Sequence, residues 1–217
     1  MSTTPSNDTG RAAGAAAGAT TSSDTAPSSG ASTVSYRPLT SEDLPLVEPL
    51  WRSLLTHLDE LDSVVPLVPA DTSWPLRLAA YRELLADGRS FAVGAWRDER
   101  LIGYAMVHIG DPDPVWATGA TFVELTTLSV APAERRAGVG ALLLDAVERE
   151  LTTRGIDEYV IGVDSVNDGA RRFYERRGFR IGYHLMHGRV GTTRATDAGP
   201  GAARDDETPE TALHGEA

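Results

Sequence analysis

From residue 34 to about residue 190 the sequence predicts a single α/β domain, on three observations. Segments with strand and helix periodicity follow one another in the order β-α-α-β-β-β-α-β-α-β. Tails rich in Ala, Gly, Ser and Thr flank these segments, at residues 1–33 and 191–217. The roughly 155 residues between the tails are enough for one hydrophobic core.

Both tails have a composition typical of disordered chain. Residues 1–33 contain no large apolar residue after Met1, and residues 191–217 include the acidic cluster Asp205-Asp206-Glu207. Such segments cannot bury enough apolar surface to offset the entropy lost on ordering. We therefore predict that the tails are disordered and that the folded domain spans residues 34–190.

Net charge and composition exclude several classes of function. The net charge is −11, and part of it lies in the tails, so the domain itself is mildly acidic. Nucleic-acid binding is disfavoured because neutralising phosphates requires a basic face. A cationic partner such as a small amine suits an acidic surface better.

Cysteine, metal-ligand spacing and long apolar runs are all absent from the sequence. A chain without cysteine has no disulfides, cysteine nucleophiles or thiolate metal sites. No His, Asp and Glu residues have metal-ligand spacing, and no apolar run approaches the roughly 18 residues of a membrane span. We predict a cytoplasmic protein without a metal or a membrane partner.

The first half of the domain predicts a strand, two helices and a β-hairpin. The strand ends at Pro38, and the capping residues Thr40 and Ser41 begin the first helix. Pro66 and Pro69 mark a break before the second helix. The predicted elements are a strand at 34–38, a helix at 40–58, a break at 57–73, a helix at 74–86 and hairpin strands at 91–96 and 101–109.

The second half alternates strands with helices. Two Asp-Pro pairs predict an irregular loop at 110–119, and Gly155 is predicted to end the long amphipathic helix that follows. The predicted elements are a strand at 120–130, a helix at 139–154, a strand at 158–163, a helix at 167–177 and one or two closing strands at 179–190.

The most informative segment is the loop that joins the strand at 120–130 to the next helix. It reads Arg135-Arg136-Ala137-Gly138-Val139-Gly140. Free N–H groups and the helix dipole favour an anion at a helix start, and glycines let the backbone approach it closely. A Walker loop is excluded because the chain has no lysine, and a Rossmann fingerprint because no third glycine follows. We predict a pyrophosphate site.

A second block follows about thirty residues later and strengthens this assignment. It runs from Asn167 to Phe179 and fits the pattern N-x-x-A-x-x-F-Y-x-x-x-G-F. The loop meets [Q/R]-x-x-G-x-[G/A] with Arg135, Gly138 and Gly140. Together, in this order, the two motifs resemble those of the GCN5-related N-acetyltransferases, the GNAT family. The resemblance covers about residues 34–190.

The resemblance implies a fold and a cosubstrate. The fold is a mixed, mostly antiparallel sheet that is splayed between strands 4 and 5 and flanked by about four helices. The cosubstrate is acetyl-CoA, with its pyrophosphate on the loop and its pantetheine arm along the preceding strand. The implied cofactor-binding residues are Leu128, Ser129, Val130, Arg135, Arg136, Ala137, Gly138, Val139, Gly140, Ala141, Asn167 and Arg171.

Three residues of the second block have alternative interpretations. Tyr174 matches the tyrosine with which family members protonate the departing CoA thiolate; alternatively, it is a core aromatic beside Phe173. Asn167 either bonds the cofactor or caps its helix, and the two roles are compatible. Arg171 either reaches the cofactor or is a solvated charge.

Glu124 is the candidate general base, because a histone-type branch of the family has its catalytic glutamate at this distance from the loop. It lies on an apolar strand eleven residues before Arg135. A base at this point would draw a proton from the attacking ammonium, directly or through water. Alternatively, Glu124 orients the substrate or pairs with an arginine, and ordered water takes the proton.

The implied reaction is direct acetyl transfer to a primary amine, of a small molecule or of a protein. The acceptor is expected between the loop at 110–119 and the helix-helix loop, whose acidic residues Asp59, Glu60, Asp62 and Asp71 would attract a cation. Alternatives are a hydroxyl acceptor and a non-catalytic domain that binds acyl-CoA. The sequence leaves monomer and homodimer open.

Overall fold

The computed structural model describes residues 33–112, 115, 120–188 and 190. Within these residues, the domain has four strands and four α-helices, with short 3-10 turns at Leu44–Val47 and Pro132–Glu134. In chain order, the elements are β1 (Val34–Leu39), α1 (Glu48–Asp59), α2 (Ala70–Ala86), β2 (Phe91–Arg97), β3 (Arg100–Gly110), β4 (Phe122–Val130), α3 (Val139–Thr153) and α4 (Asp168–Arg176).

The sheet is an antiparallel meander in the order β1-β2-β3-β4. Its tightest connection joins β2 to β3 through Asp98 and Glu99, and Asp98 adopts a φ of 54°. Positive φ at the first loop residue is what a two-residue hairpin turn requires, and Asp tolerates it. The predicted hairpin is therefore confirmed.

A β-bulge in β4 changes the face of the sheet toward which the following side chains point. Leu125 lies opposite Val107 and Thr127 lies opposite Met106, so Thr126 is an extra residue without a cross-strand partner. Before the bulge, Leu125 faces α3; after it, Thr127 faces α1 and α2. The bulge therefore turns polar side chains at the end of β4 toward the α1–α2 layer.

Each face of the sheet has its own core. Helix α3 covers one face with an apolar stripe at helical spacing, and α1 and α2 cover the other. Fully buried residues on the α3 side include Ile102, Val107, Leu125, Leu143, Leu144 and Val147; those on the α1–α2 side include Leu44, Val47, Tyr81, Tyr104 and Met106.

The strand predicted at 158–163 is wrong as a regular strand. One parallel bridge, between Glu124 and Val160, is all that joins this segment to β4. Beyond Val160 the chain turns away from β4, so no ladder continues and the mixed character of the sheet is limited to this bridge. The predicted splay thus begins directly after the fourth strand, where the segment separates from it.

The closing strands predicted at 179–190 are also wrong over the residues described. Residues 179–188 form no ladder with another described segment. Their apolar side chains alternate as in a strand, but Ile181, Tyr183 and Leu185 are exposed. Alternation alone does not make a strand, because a strand also requires a neighbouring edge for its hydrogen bonds.

The break predicted at 57–73 is too long at both ends. Helix α1 continues to Asp59, and α2 begins at Ala70, directly after Pro69. Pro69 precedes the first turn, whose N–H groups have no partner within the helix anyway, so it begins the helix rather than preventing it. Thr72 N and Ser73 N both donate to the Pro69 carbonyl, at 3.0 and 2.9 Å.

Three predicted segments lie wholly or partly outside the described residues: the tails at 1–33 and 191–217, and the loop at 110–119. Among the helices that the structure describes, none has the length and apolarity needed to cross a bilayer.

Three hydroxyl groups join α2 to the sheet. The Tyr81 and Thr127 hydroxyls are 2.6 Å apart, and the Tyr81 and Tyr104 hydroxyls are 3.3 Å apart. Both tyrosines are fully buried, and burial raises the pKa of each phenol. These hydroxyls therefore stay protonated and satisfy one another within the core.

Replacing Tyr81 by Phe should lower the free energy of unfolding by about 1–2 kcal/mol, because Thr127 loses its close hydroxyl partner. Urea unfolding followed by circular dichroism measures the change. Tyr183→Phe is the matched control, since Tyr183 is 71% exposed and should unfold like the parent chain. Equal stability of Tyr81→Phe and the parent would contradict a stabilising network.

Candidate active site

Two side-chain contacts hold the loop before α3 at the end that leaves β4. Arg135 Nε donates to the carbonyl of Val130 at 3.2 Å, which ties the loop to the last residue of β4. Arg97 of β2 pairs with Glu134 at 2.8 Å and lowers the pKa of that carboxyl. Arg136 and Gly138 adopt positive φ, 64° and 84°, and turn the chain into the helix.

A run of unpaired N–H groups begins α3. From Arg136 to Ala141, no backbone N–H makes a hydrogen bond of normal geometry to another group in the described part of the chain. The first donor into the helix is Leu142 N, which bonds the carbonyl of Gly138 at 3.0 Å. Consecutive free donors at the positive end of a helix dipole form an anion site.

The two glycines keep this site open to a ligand. A Cβ on Gly138 would meet no atom within 4 Å, so the space beside Gly138 at the helix start is open. A Cβ on Gly140 would lie 3.8 Å from a methyl of Leu128 and 3.7 Å from the Phe173 ring. The helix start is therefore close to β4 and α4, and a ligand bound there can extend along β4.

Beyond its bridge to Val160, β4 has a free edge. Leu125 N donates to the carbonyl of Val160, and Val160 N donates to that of Val123, both at 2.9 Å. From Thr126 to Val130, β4 pairs with β3 alone among the described residues. Unpaired strand groups are costly unless water or a ligand satisfies them. The edge therefore suits a ligand with amides of its own.

A cavity of about 420 Å³ lies along this edge. One wall is β4 from Leu125 to Leu128, and the segment that leaves β4 forms the opposite wall. Helices α1, α2 and α4 complete it. Its other lining residues are Trp51, Leu54, Leu55, Leu58, Leu67, Val68, Ser73, Arg77, Ile161, Gly162, Val163, Asp164, Asn167, Ala170 and Tyr174.

Tyr174 reaches this cavity from α4. It is 6% exposed, and its ring packs edge-to-face on Phe173 and Phe179, with centroids 5.0 and 5.4 Å apart. Its hydroxyl has no hydrogen-bond partner among the described residues. Burial raises the pKa of the phenol, which therefore keeps its proton through the neutral and mildly alkaline range. Both predicted roles, aromatic packing and a proton donor at a cavity, fit this position.

Asn167 and Arg171 differ in their placement. Asn167 lines the cavity and caps α4, since its Oδ1 accepts from Ala170 N at 2.9 Å, which confirms the predicted cap. Arg171 pairs with Asp168 at 2.7 Å and with Glu175 at 2.9 Å along the helix surface. The structure gives Arg171 two carboxylate partners, and its contact with a cofactor stays a prediction.

Glu124 lies next to the cavity rather than in its lining. It is half-buried on β4, directly opposite His108 of β3, and it provides the bridge to Val160. The lining begins one residue later, at Leu125. The structure thus brings Tyr174, Asn167 and Leu128 together around one cavity, with Glu124 at its margin.

The acidic residues expected to attract a cation are not in the lining. Asp71 pairs with Arg52 at 2.7 Å, and Glu60 faces His57 at 3.9 Å. Instead, the charged lining residues are Arg77 and Asp164, which sequence reasoning missed. A clue existed for Arg77, because it follows Trp74 by three residues and precedes Tyr81 by four on the buried face of a helix.

The described residues include no evident metal centre. No group of three or more His, Asp or Glu side chains is arranged to hold a metal ion within residues 33–112, 115, 120–188 and 190.

Comparison with known sequences supports the motif assignment. The family model described as Acetyltransferase (GNAT) family matches residues 55–179. N-acetyltransferases without a characterised function from Mycobacterium tuberculosis and Mycobacterium bovis are 33% identical over 106 residues, which is 49% of this chain. The aligned part spans 63% of the length of these relatives.

Solved structures share the fold. A GCN5-related N-acetyltransferase from Ralstonia eutropha JMP134 aligns with a TM-score of 0.60 at 19% identity, over 73% of this chain and 100% of that one. An aminoglycoside N-acetyltransferase in complex with CoA aligns with a TM-score of 0.57 at 22% identity, over 72% and 94%. At these identities the likeness concerns the fold alone.

If the N–H groups at the start of α3 bind the phosphates of CoA, Gly138→Asp should weaken CoA binding by about 100-fold or more, because it adds a negative charge next to them. Isothermal titration with CoA measures the dissociation constant.

Gly155→Asp is the matched control. Gly155 has a φ of 72°, equally open space at its Cβ, and a position just past the other end of α3. Backbone strain is therefore similar in both variants, and only Gly138→Asp should lose affinity. Equal CoA affinity of the two variants would contradict the assignment of the anion site.

Proposed function

Because the chain belongs to the Acetyltransferase (GNAT) family, we propose that it transfers an acetyl group from acetyl-CoA to a primary amine. One observation carries the proposal. The free N–H groups from Arg136 to Ala141 lie beside the free edge of β4, and that edge leads to the cavity that Tyr174 lines. The free N–H groups, the free edge of β4 and the phenol of Tyr174 thus lie next to one another in this order.

Two parts of the chain would hold acetyl-CoA. The N–H groups of residues 136–141 suit the pyrophosphate, with Arg135 and Arg136 adding positive charge. The backbone from Leu128 to Val130 suits the amides of the pantetheine arm, which would add to β4 as a further strand. Ser129 contributes only its backbone here, because its hydroxyl donates to the carbonyl of Leu50 at 3.0 Å.

The reaction is a direct displacement at the thioester. The nitrogen of the neutral amine attacks the carbonyl carbon, the C–N bond forms, and the C–S bond breaks with its electrons on sulfur. The nitrogen gives up its second proton to solvent as the amide forms, and Tyr174 regains a proton from solvent after each turnover. The buried phenol of Tyr174 gives its proton to the departing thiolate. Because burial raises the phenol pKa, Tyr174 is protonated over the whole range in which the enzyme is expected to work.

The amine must lose a proton before it attacks, since an alkylammonium has a pKa near 10 in water. We assign the base role to Glu124, acting directly or through a water molecule, because it is the one carboxylate of β4 and lies one residue from the cavity lining. The acceptor therefore binds with its reacting nitrogen in the positively charged ammonium form. The proposal includes a bacterial origin, which the mycobacterial relatives support, and a cytoplasmic location. It leaves monomer and homodimer open.

Tyr174→Phe should lower kcat by about 100-fold and change the affinity for acetyl-CoA little, because the ring packing stays while the proton is lost. A CoA-release assay gives kcat, and titration gives affinity. Tyr159→Phe is the control: Tyr159 bonds Glu148 at 2.9 Å outside this cavity and should keep full activity. Equal losses of turnover and affinity in Tyr174→Phe would indicate a packing role.

Glu124→Gln should lower kcat/KM by about 100-fold at pH 7, and the loss should shrink toward pH 9. The reason is that more of the amine is already neutral in solution at the higher pH, so the enzyme base matters less. The measurement is CoA release across this pH range, with the exposed Glu158→Gln as control. A defect that is constant with pH would contradict the base assignment.

A further inference from the structure

We propose that the acceptor amine also carries a carboxylate, which Arg77 binds, and an apolar group. An α-amino acid with an apolar side chain is the simplest molecule of this class. This inference rests on the proposed acetyl transfer and names the substrate class for the same cavity.

Arg77 is the cation of the cavity lining. Its guanidinium lies over two aromatic rings, 4.5 Å from the centroid of Trp51 and 5.5 Å from that of Tyr81. Among the described residues it has neither an ion pair nor a hydrogen bond to a carboxylate. Nearby Arg52, by contrast, pairs with both Glu48 and Asp71, at 2.8 and 2.7 Å.

Contacts between a guanidinium and aromatic rings are compatible with carboxylate binding by the same guanidinium. Stacking occupies the face of the planar group, whereas its N–H donors point outward in the plane. Two parallel N–H groups match the two oxygens of a carboxylate. Arg77 lines the cavity without a carboxylate partner among the described residues, so it can pair with a carboxylate that enters.

The rings under Arg77 are themselves fixed. The Tyr81 hydroxyl lies 2.6 Å from that of Thr127, and the Trp51 indole N–H donates to Ser73 Oγ at 3.4 Å. Tyr81 and Trp51 are buried in the α1–α2 core. A guanidinium on a rigid platform loses little conformational freedom when it binds an anion.

Arg77 serves the acceptor rather than CoA because of its position in the fold. The anion site is at the start of α3, which covers one face of the sheet. Arg77 stacks in the α1–α2 layer, on the opposite face. The cavity is the place where both layers meet, so one ligand enters from each side.

A single opposite charge accompanies Arg77 in the lining. The carboxylate of Asp164 accepts hydrogen bonds from the Ser63 hydroxyl and, at 3.1 Å, from Val166 N. One cation and one anion match a molecule that has an ammonium and a carboxylate. A polyamine would meet repulsion at Arg77, and a phosphate dianion would exceed the one positive charge available.

The rest of the wall beside Arg77 is apolar. It accommodates an apolar group by the hydrophobic effect, at about 25 cal/mol per Å² buried. The residues of this wall are Leu54, Leu55, Leu58, Leu67 and Val68.

The test compares each amino acid with the amine that lacks its carboxylate. We would measure kcat/KM with acetyl-CoA for phenylalanine against phenethylamine and for leucine against isoamylamine, with spermidine and kanamycin as polycations. The parent chain should prefer the carboxylate-bearing member of each pair by about 10- to 100-fold, the usual strength of a charge-assisted hydrogen-bond pair. Preference for the bare amines or the polycations would overturn the inference.

Substitution of Arg77 tests whether it is the source of that preference. In Arg77→Met the ratio of kcat/KM values within each pair should fall to about 1. In Arg77→Lys the ratio should keep part of its value, because lysine keeps the positive charge but lacks the paired N–H donors of the guanidinium. Arg82→Met, an exposed site on the same helix, should keep the parent ratio. An unchanged ratio in Arg77→Met would overturn the inference.

A binding measurement separates this inference from the proposed reaction. Calorimetric titration of the CoA-loaded protein with phenylalanine and with phenethylamine needs no turnover. Tighter binding of phenylalanine that Arg77→Met abolishes would support the carboxylate site even if no amine were acetylated, in which case the proposed reaction alone would fail. Absence of phenylalanine binding up to millimolar concentration, with phenethylamine turned over, would overturn the inference alone.

Discussion

The parallel bridge between Glu124 and Val160 holds residues 158–163 against β4 at one point, through two backbone hydrogen bonds of 2.9 Å. If the ladder continued, the edge of β4 would be sealed and neither the cavity nor a path from α3 to Tyr174 would exist. Because it stops, polar backbone groups stay open in the middle of a folded domain. A ligand that supplies amides is the natural complement of that edge.

The bulge at Thr126 adds a second consequence at the same place. It turns the Thr127 hydroxyl into the α1–α2 layer, where Tyr81 meets it. Tyr81 in turn supports Arg77. An irregularity of one residue in a strand therefore connects the edge that suits CoA to the side chain assigned to the acceptor. Backbone geometry, rather than a flexible loop, sets the distance between the two halves of the site.

Sequence reasoning found what is encoded locally and missed what depends on neighbours. The loop around Gly138 and the cap at Asn167 were predictable, because turn and capping chemistry is local. The fifth strand was not, because whether residues 158–163 continue a ladder is decided by β4 and not by their own alternation. Arg77 was missed because its place in the cavity depends on packing against Trp51, which is distant in sequence.

The free N–H groups at the start of α3 also link ligand binding to the lifetime of the fold. They have no hydrogen-bond partner within the described part of the chain, although the helix they begin carries core residues such as Val139 and Leu143. A ligand present at a hundred times its dissociation constant adds about 2.7 kcal/mol to the stability of the folded state. The fraction of unfolded chain open to proteolysis would then fall by about 100-fold, so the cellular level of such a protein would follow the supply of its own cosubstrate.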